Sequence, residues 1–117
     1  MTIHRIDTNK RLSAAVSFDN LVFLSGQVST TLDGDFETQT KDVLEKIDSL
    51  LDKAGSSKSY ILSAQIWIKN IEKDFHAFNK LWEAWLPDDC APARAAVEAN
   101  LARPNVFVEV ALIAAKR

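Results

Sequence analysis

The sequence predicts an α+β fold: a single mixed β-sheet with two helices packed on one face, in the order βββ-α-β-α-ββ. Three observations carry that prediction. Apolar residues switch several times between strand-like alternation and helix-like spacing. Turn signals at Asp19-Asn20 and Asp33-Gly34 divide the N-terminal third. Gly55 and Pro87 stand where two amphipathic stripes end.

Thr2–Asp7 and Ser13–Phe18 read as short strands, and Leu21–Ser25 as a third strand after the Asp19-Asn20 turn. Phe36–Ala54 reads as the first helix. Its apolar stripe is Phe36, Val43, Leu44, Ile47, Leu50, Leu51 and Ala54, and Gly55 follows as a left-handed C-terminal cap. Tyr60–Ile68 alternates, with Leu62, Ala64, Ile66 and Ile68 on one face and Ser63, Gln65 and Trp67 on the other. Phe75–Leu86 reads as the second helix, with Phe75, Phe78, Trp82 and Trp85 on its stripe and Pro87 as its stop. Ala93–Ala99 and Val106–Ala114 are the last two strands.

The second sheet face then needs cover. Ser63, Gln65, Trp67, Arg94, Glu98 and Glu109 are assigned to it. A face that mixes Trp with charged groups suits a subunit interface containing a site.

Composition narrows the function. A chain of 117 residues, 47% hydrophobic, fits one domain spanning 1–117 with a real core. A single cysteine, Cys90, fits a reducing compartment and removes any CxxC reading. The N-terminal residues lack the apolar run of a signal peptide and no membrane-length apolar stretch follows, so a cytoplasmic location is expected. The net charge is −2 and the 14 Lys and Arg are scattered, which argues against nucleic acid as the main partner. His4 and His76 lie far apart in the sequence, and nothing suggests a metal.

Two charged residues stand out. Arg94 sits among the small residues of Pro92-Ala93-Arg94-Ala95-Ala96-Val97. Glu109 sits in Val106-Phe107-Val108-Glu109-Val110-Ala111-Leu112-Ile113, the most apolar strand, where a lone carboxylate is costly without a partner. If the last two strands form an antiparallel hairpin centred between Leu101 and Ala102, Arg94 and Glu109 oppose each other on one face. That pair reads either as a cross-strand salt bridge or as a carboxylate-binding Arg beside a water-positioning carboxylate.

Other residues carry weaker signals. Gly26 in Ser25-Gly26-Gln27 is a plain turn glycine or a place where backbone approaches a ligand. Asn79 falls on the second helix's apolar stripe, as a satisfied structural amide or a pocket group. His76 points off that stripe, toward solvent. Cys90 has no His, Lys or Arg within three residues to activate it.

The segments Pro92–Val97, Val108-Glu109-Val110 and Ala114-Ala115-Lys116-Arg117 resemble the C-terminal signature of the reactive intermediate deaminase (Rid, or YjgF) family. Leu24-Ser25-Gly26-Gln27 resembles its SGQ element, and Asp74-Phe75 with Asn79 its second-helix pattern. The resemblance spans nearly the whole chain in order. It implies a chorismate-mutase-like fold, a homotrimer with sites at subunit interfaces, and no cofactor. It implies hydrolysis of 2-imino and 2-enamino acids such as 2-aminoacrylate to 2-keto acids and ammonia. Arg94 then takes the substrate carboxylate, Glu109 the water or leaving nitrogen, and Ser25, Gly26, Asn79 and Ala96 line the pocket.

Two departures bear on substrate range. Ala96 stands where the family often has Cys, and Leu12 or Arg11 where many members carry an aromatic residue. The alternative function is a small-metabolite-binding or regulatory protein of the same fold that catalyses little.

Overall fold

The computed structural model describes residues 2–117. The strands are β1 (Ile3–Thr8), β2 (Ser13–Phe18), β3 (Leu21–Gln27), β4 (Ile61–Ile68), β5 (Ala93–Glu98) and β6 (Val108–Ala115); the helices are α1 (Phe36–Lys53) and α2 (Ile71–Trp85). The expected element order is the observed one. The sheet order is β1-β2-β3-β6-β4-β5.

β1, β2 and β3 form an antiparallel meander. The β2–β3 hairpin turns at Asp19, whose φ of 56° is one that Asp tolerates better than most side chains. α1 starts at Asp35, whose side chain accepts a hydrogen bond from the Thr38 N–H at 2.9 Å. It ends before Gly55, which adopts φ +81° as its position in the sequence requires. α2 begins a full turn earlier than its apolar stripe suggests. Asn70 caps it by accepting from Lys73 N–H at 3.2 Å, and the Glu98 carboxylate accepts from Ile71 N–H at 3.0 Å.

The last two strands do not form the expected hairpin. β5 pairs in parallel with β4, and β6 lies between β3 and β4, antiparallel to both. The physical reason lies in the connections. α2 carries the chain from β4 to β5 as a crossover, which delivers a parallel neighbour. The segment between β5 and β6 is too long for a tight turn and instead passes the end of β4. There, Ala99 N–H donates to the Ile68 carbonyl and Lys69 N–H to the Phe107 carbonyl. Gln39 of α1, with no exposed surface, fastens this crossing: its Nε2 donates to the Asn105 carbonyl at 2.8 Å, and its Oε1 accepts from Phe107 N–H at 2.9 Å.

One sheet face packs on both helices. Ala64, Ile66, Ile68, Val108, Val110, Leu112 and Ala114 are buried there against Val43, Ile47, Leu51, Phe78 and Trp82. The expected face of β4 is corrected at one position. A register irregularity between Ile61 and Ser63 turns Leu62 outward and puts Ile61 in the core instead.

Candidate active site

The structure separates Arg94 from Glu109. Arg94 pairs with Ala64 and therefore shares the helix-covered side of the sheet. Glu98, four pairs further on opposite Ile68, shares that side, so neither residue belongs to the open face that the sequence predicts for them. Glu109 pairs with Trp67 and does lie on the open face, with Ser63 and Gln65. Two strand spacings and three residues along the strand put Arg94 and Glu109 roughly 14 Å apart at Cα. The assumed salt bridge does not exist: among the described residues the ion pairs are Lys53–Asp7 and Arg117–Asp52.

What forms instead is two half-sites. The first surrounds Arg94 on the edge strand β5. Its Nη2 donates to Asn79 Oδ1 at 2.6 Å. Its guanidinium carbon sits 5.8 Å from the Phe75 ring centroid and 5.9 Å from that of Trp82. Aromatic faces attract a cation and restrict its plane. Trp82 is buried and Phe75 partly exposed, so the guanidinium roofs the end of the α2 stripe. Ala96 follows on the same side, half-buried against the core. Asn79 is thus a satisfied amide, and the partner that satisfies it is Arg94. From sequence, Phe75 and Trp82 read only as members of the helix stripe; the structure also sets them against the Arg94 guanidinium. The parallel β4–β5 pairing is the signal that reveals it, because it lays β5 against α2.

The second half-site surrounds Glu109. The β3–β6 register shifts between Leu24 and Gln27, a bulge that brings Gly26 against the Glu109 side chain. A Cβ placed on Gly26 would overlap Oε2 and lie 2.9 Å from Cδ. Ser25 Oγ donates to the Ala14 carbonyl at 3.2 Å, tying β3 to β2 beside the bulge. Burial pushes the Glu109 carboxyl above its ordinary value. The opposite case is Asp42 on α1. Hydrogen bonds from Ser29 Oγ at 2.8 Å and from Thr30 N–H at 2.8 Å hold it below the ordinary carboxylate range.

Neither half-site is a closed pocket. A cavity of about 550 Å³ lies at the N-terminal ends of the two helices, lined by Asp35, Lys69, Asn70, Lys73, Glu98 and Phe107 among others, and contains none of the other candidate residues. A hollow of about 220 Å³ on the open face is lined by Phe23, Ser63, Gln65, Ala111 and Ile113. His76 is exposed, as its position on α2 predicts, and Cys90 is half-buried. Among the described residues no helix is long and apolar enough to cross a membrane.

The model of the family described as Endoribonuclease L-PSP matches residues 2–116. A RutC family protein of Haemophilus influenzae is 44% identical, over 97% of this chain and 98% of its own length. The crystal structure of NMB1025 from Neisseria meningitidis, a YjgF family member, matches with a TM-score of 0.94 at 42% identity, covering 100% of this chain and 97% of that one. YyfA of Yersinia pestis, from the conserved Rid family, matches with a TM-score of 0.88 at 28% identity, covering 97% of this chain and 99% of that one. This chain therefore belongs to the Endoribonuclease L-PSP family, whose members carry the RutC, YjgF and Rid names.

Proposed function

We propose that the protein hydrolyses reactive 2-imino and 2-enamino acids to 2-keto acids and ammonia, in a homotrimer whose sites join Arg94 of one copy to Glu109 of another. The observation that carries this reading is the state of Arg94. Its guanidinium is oriented by Asn79 and two aromatic rings, yet it has no carboxylate partner among the described residues. A fork held in place with donors to spare suits an external carboxylate. The uncovered Phe18, Leu21 and Phe23 on the open face support burial against further copies.

In this mechanism Arg94 grips the carboxylate of the 2-imino acid and fixes the C=N carbon. Glu109 holds a water and takes its proton as the oxygen attacks that carbon. That proton passes from Glu109 to the nitrogen, which becomes an amine on a tetrahedral carbon. The carbon hydroxyl then gives its proton, through Glu109, to the amine as the C–N bond breaks; the bonding pair leaves on nitrogen as ammonia, and the hydroxyl oxygen becomes the ketone. An enamine such as 2-aminoacrylate first takes a proton at C3 to become the imine. Imines hydrolyse readily in water, so positioning and one charged contact supply the modest acceleration needed. A metabolite-binding protein of the same fold would retain Arg94 binding without turnover.

The test is a coupled assay in which an amino-acid oxidase or dehydratase generates imines of varied side chain and the loss of imine is followed. Accelerated hydrolysis is expected; binding without acceleration selects the metabolite-binding reading. Mixing variants then probes the shared site. Arg94→Ala and Glu109→Gln chains, each inactive alone, are co-expressed. Random assembly into rings leaves about a quarter of the sites with both residues intact, from different copies. Recovery of about that share of activity is expected, whereas no recovery means that both residues must come from one chain.

A further inference from the structure

Gly26 stands at the β3 bulge, where the pairing with β6 shifts between Leu24 and Gln27. Its backbone does not call for glycine. Among the described residues Gly55 is the glycine with positive φ, and Gly26 lies outside that region. A side chain is therefore acceptable to the local conformation. What forbids it is Glu109: a Cβ on Gly26 overlaps Oε2 and approaches Cδ to 2.9 Å and Cγ to 3.2 Å. Ordinary carbon contacts lie near 3.5–4.0 Å. The carboxylate lies in the space that any other residue would fill.

We propose that Gly26 is a positioning residue for Glu109, its missing side chain forming with the bulge the slot that fixes the carboxylate on the open face. This rests on the reading of Glu109 as the group that holds water. Bulges commonly re-aim side chains next to active sites, and here the bulge supplies the slot while Glu109 supplies the chemistry. The slot also accounts for the burial of the carboxylate beside the β3 backbone. An alanine at position 26 swings the flexible end of Glu109 outward and leaves the strand pairing alone, because the clash falls on a side-chain tip. Ser25, fastened to Ala14, keeps the bulge in place in that variant.

The experiment compares Gly26→Ala, Glu109→Gln and the double variant as assembled protein. It adds a carbon-13 NMR titration of the Glu109 carboxyl in wild type and in Gly26→Ala. A folded Gly26→Ala protein is expected to lose about 10- to 100-fold in kcat with KM changed less than about threefold, a fraction of what a general base contributes. Its Glu109 carboxyl should titrate closer to the ordinary value than in wild type. Adding Gly26→Ala to Glu109→Gln should cost less than about twofold, because the two changes act through one group. Equal losses from Gly26→Ala in both backgrounds would overturn the proposal, since Gly26 would then act by another route. An unchanged carboxyl titration in Gly26→Ala would overturn it as well, even if Glu109→Gln proved fully active and the deaminase reading had failed on its own account. Should Gly26→Ala fail to fold, Gly26→Ala with Glu109→Ala must fold and bind as Glu109→Ala does, or the slot is not what glycine serves.

Discussion

Ile66, Val108, Val110 and Leu112 on the helix-covered face of the sheet are at most 4% exposed, whereas Phe18, Leu21 and Phe23 on the other face keep 38–39%. The first face is complete in one chain. Among the described residues no buried polar side-chain atom lacks a hydrogen-bond partner, Gln39 included. The second face is unfinished. It exposes aromatic surface beside Ser63 and Gln65 and carries a carboxylate whose burial is not offset by a cation. The division runs through the candidate site itself. Arg94 belongs to the finished side and Glu109 to the unfinished one.

The sharpest way to break this comparison is to remove Arg94. If it serves a substrate, Arg94→Ala deletes a charged bidentate contact worth roughly 2–4 kcal/mol, and kcat/KM falls about 30- to 1000-fold. Stability should change by less than about 1 kcal/mol, because the loss is an exposed amide contact and two aromatic ones, with no carboxylate stranded. Arg94→Lys should be nearly as poor, since the ammonium keeps the charge and loses the fork. Activity and thermal unfolding measured on one sample decide it. Wild-type kcat/KM in a folded Arg94→Ala protein would remove Arg94 from the mechanism.

The same comparison marks where sequence reasoning worked. The elements were legible because periodicity and caps are local: the stripe of α1 ending at Gly55, and the alternation Ala64, Ile66, Ile68 in β4, are each set by neighbours in sequence. The element order and the family resemblance followed from such segments. The strand order was not legible in that way. Pairing Arg94 with Glu109 assumed that consecutive strands form a hairpin, and two signals spoke against it. The connection from Glu98 to Val108 is long for a hairpin, and a helix joining β4 to β5 favours a parallel pair. Leu62 reads as a core-face residue from sequence, and the structure exposes it, because a bulge has no signature in alternation. Gln39 escaped notice because a polar residue within an apolar stripe reads as surface until its partners, Asn105 and Phe107, are known.

A change on the finished face should leave chemistry alone and weaken the fold. Gln39→Leu keeps the volume but removes the partners of the Asn105 carbonyl and Phe107 N–H where they meet the buried Gln39 side chain. Unsatisfied buried groups cost about 1–3 kcal/mol each, so a loss of roughly 2–4 kcal/mol is expected in chemical denaturation, with kcat per folded site unchanged. A smaller loss, with the unfolding slope preserved, means that water replaces the amide at this crossing.

The smallest expected effect contrasts two carboxylates shifted in opposite directions. Burial raises Glu109 above the ordinary 4.5. Between 4.5 and that raised value the folded protein binds more protons at Glu109 than the unfolded chain does. Stability from this group therefore falls as pH rises through the window and is regained on acidification. Asp42 is lowered beneath the ordinary 3.8 by the bond from Ser29 and those from Thr30. Its stabilisation is present above 3.8 and is lost as pH falls through its folded value. Two variants separate these signs. Glu109→Gln should raise Tm slightly at neutral pH, with the gain shrinking toward pH 4.5, because the neutral amide avoids the desolvated charge. Asp42→Asn should lower Tm at neutral pH, with the deficit shrinking only below pH 3.8. Both groups keep contact with solvent, so each effect should stay under about 1 kcal/mol. Thermal unfolding across pH 3 to 8 reads both curves. A Glu109→Gln deficit at neutral pH that shrinks on acidification would mean that the carboxyl is lowered in the assembled protein, as an incoming Arg94 guanidinium from another copy would do. The sign of that slope then reports which of the two environments Glu109 occupies.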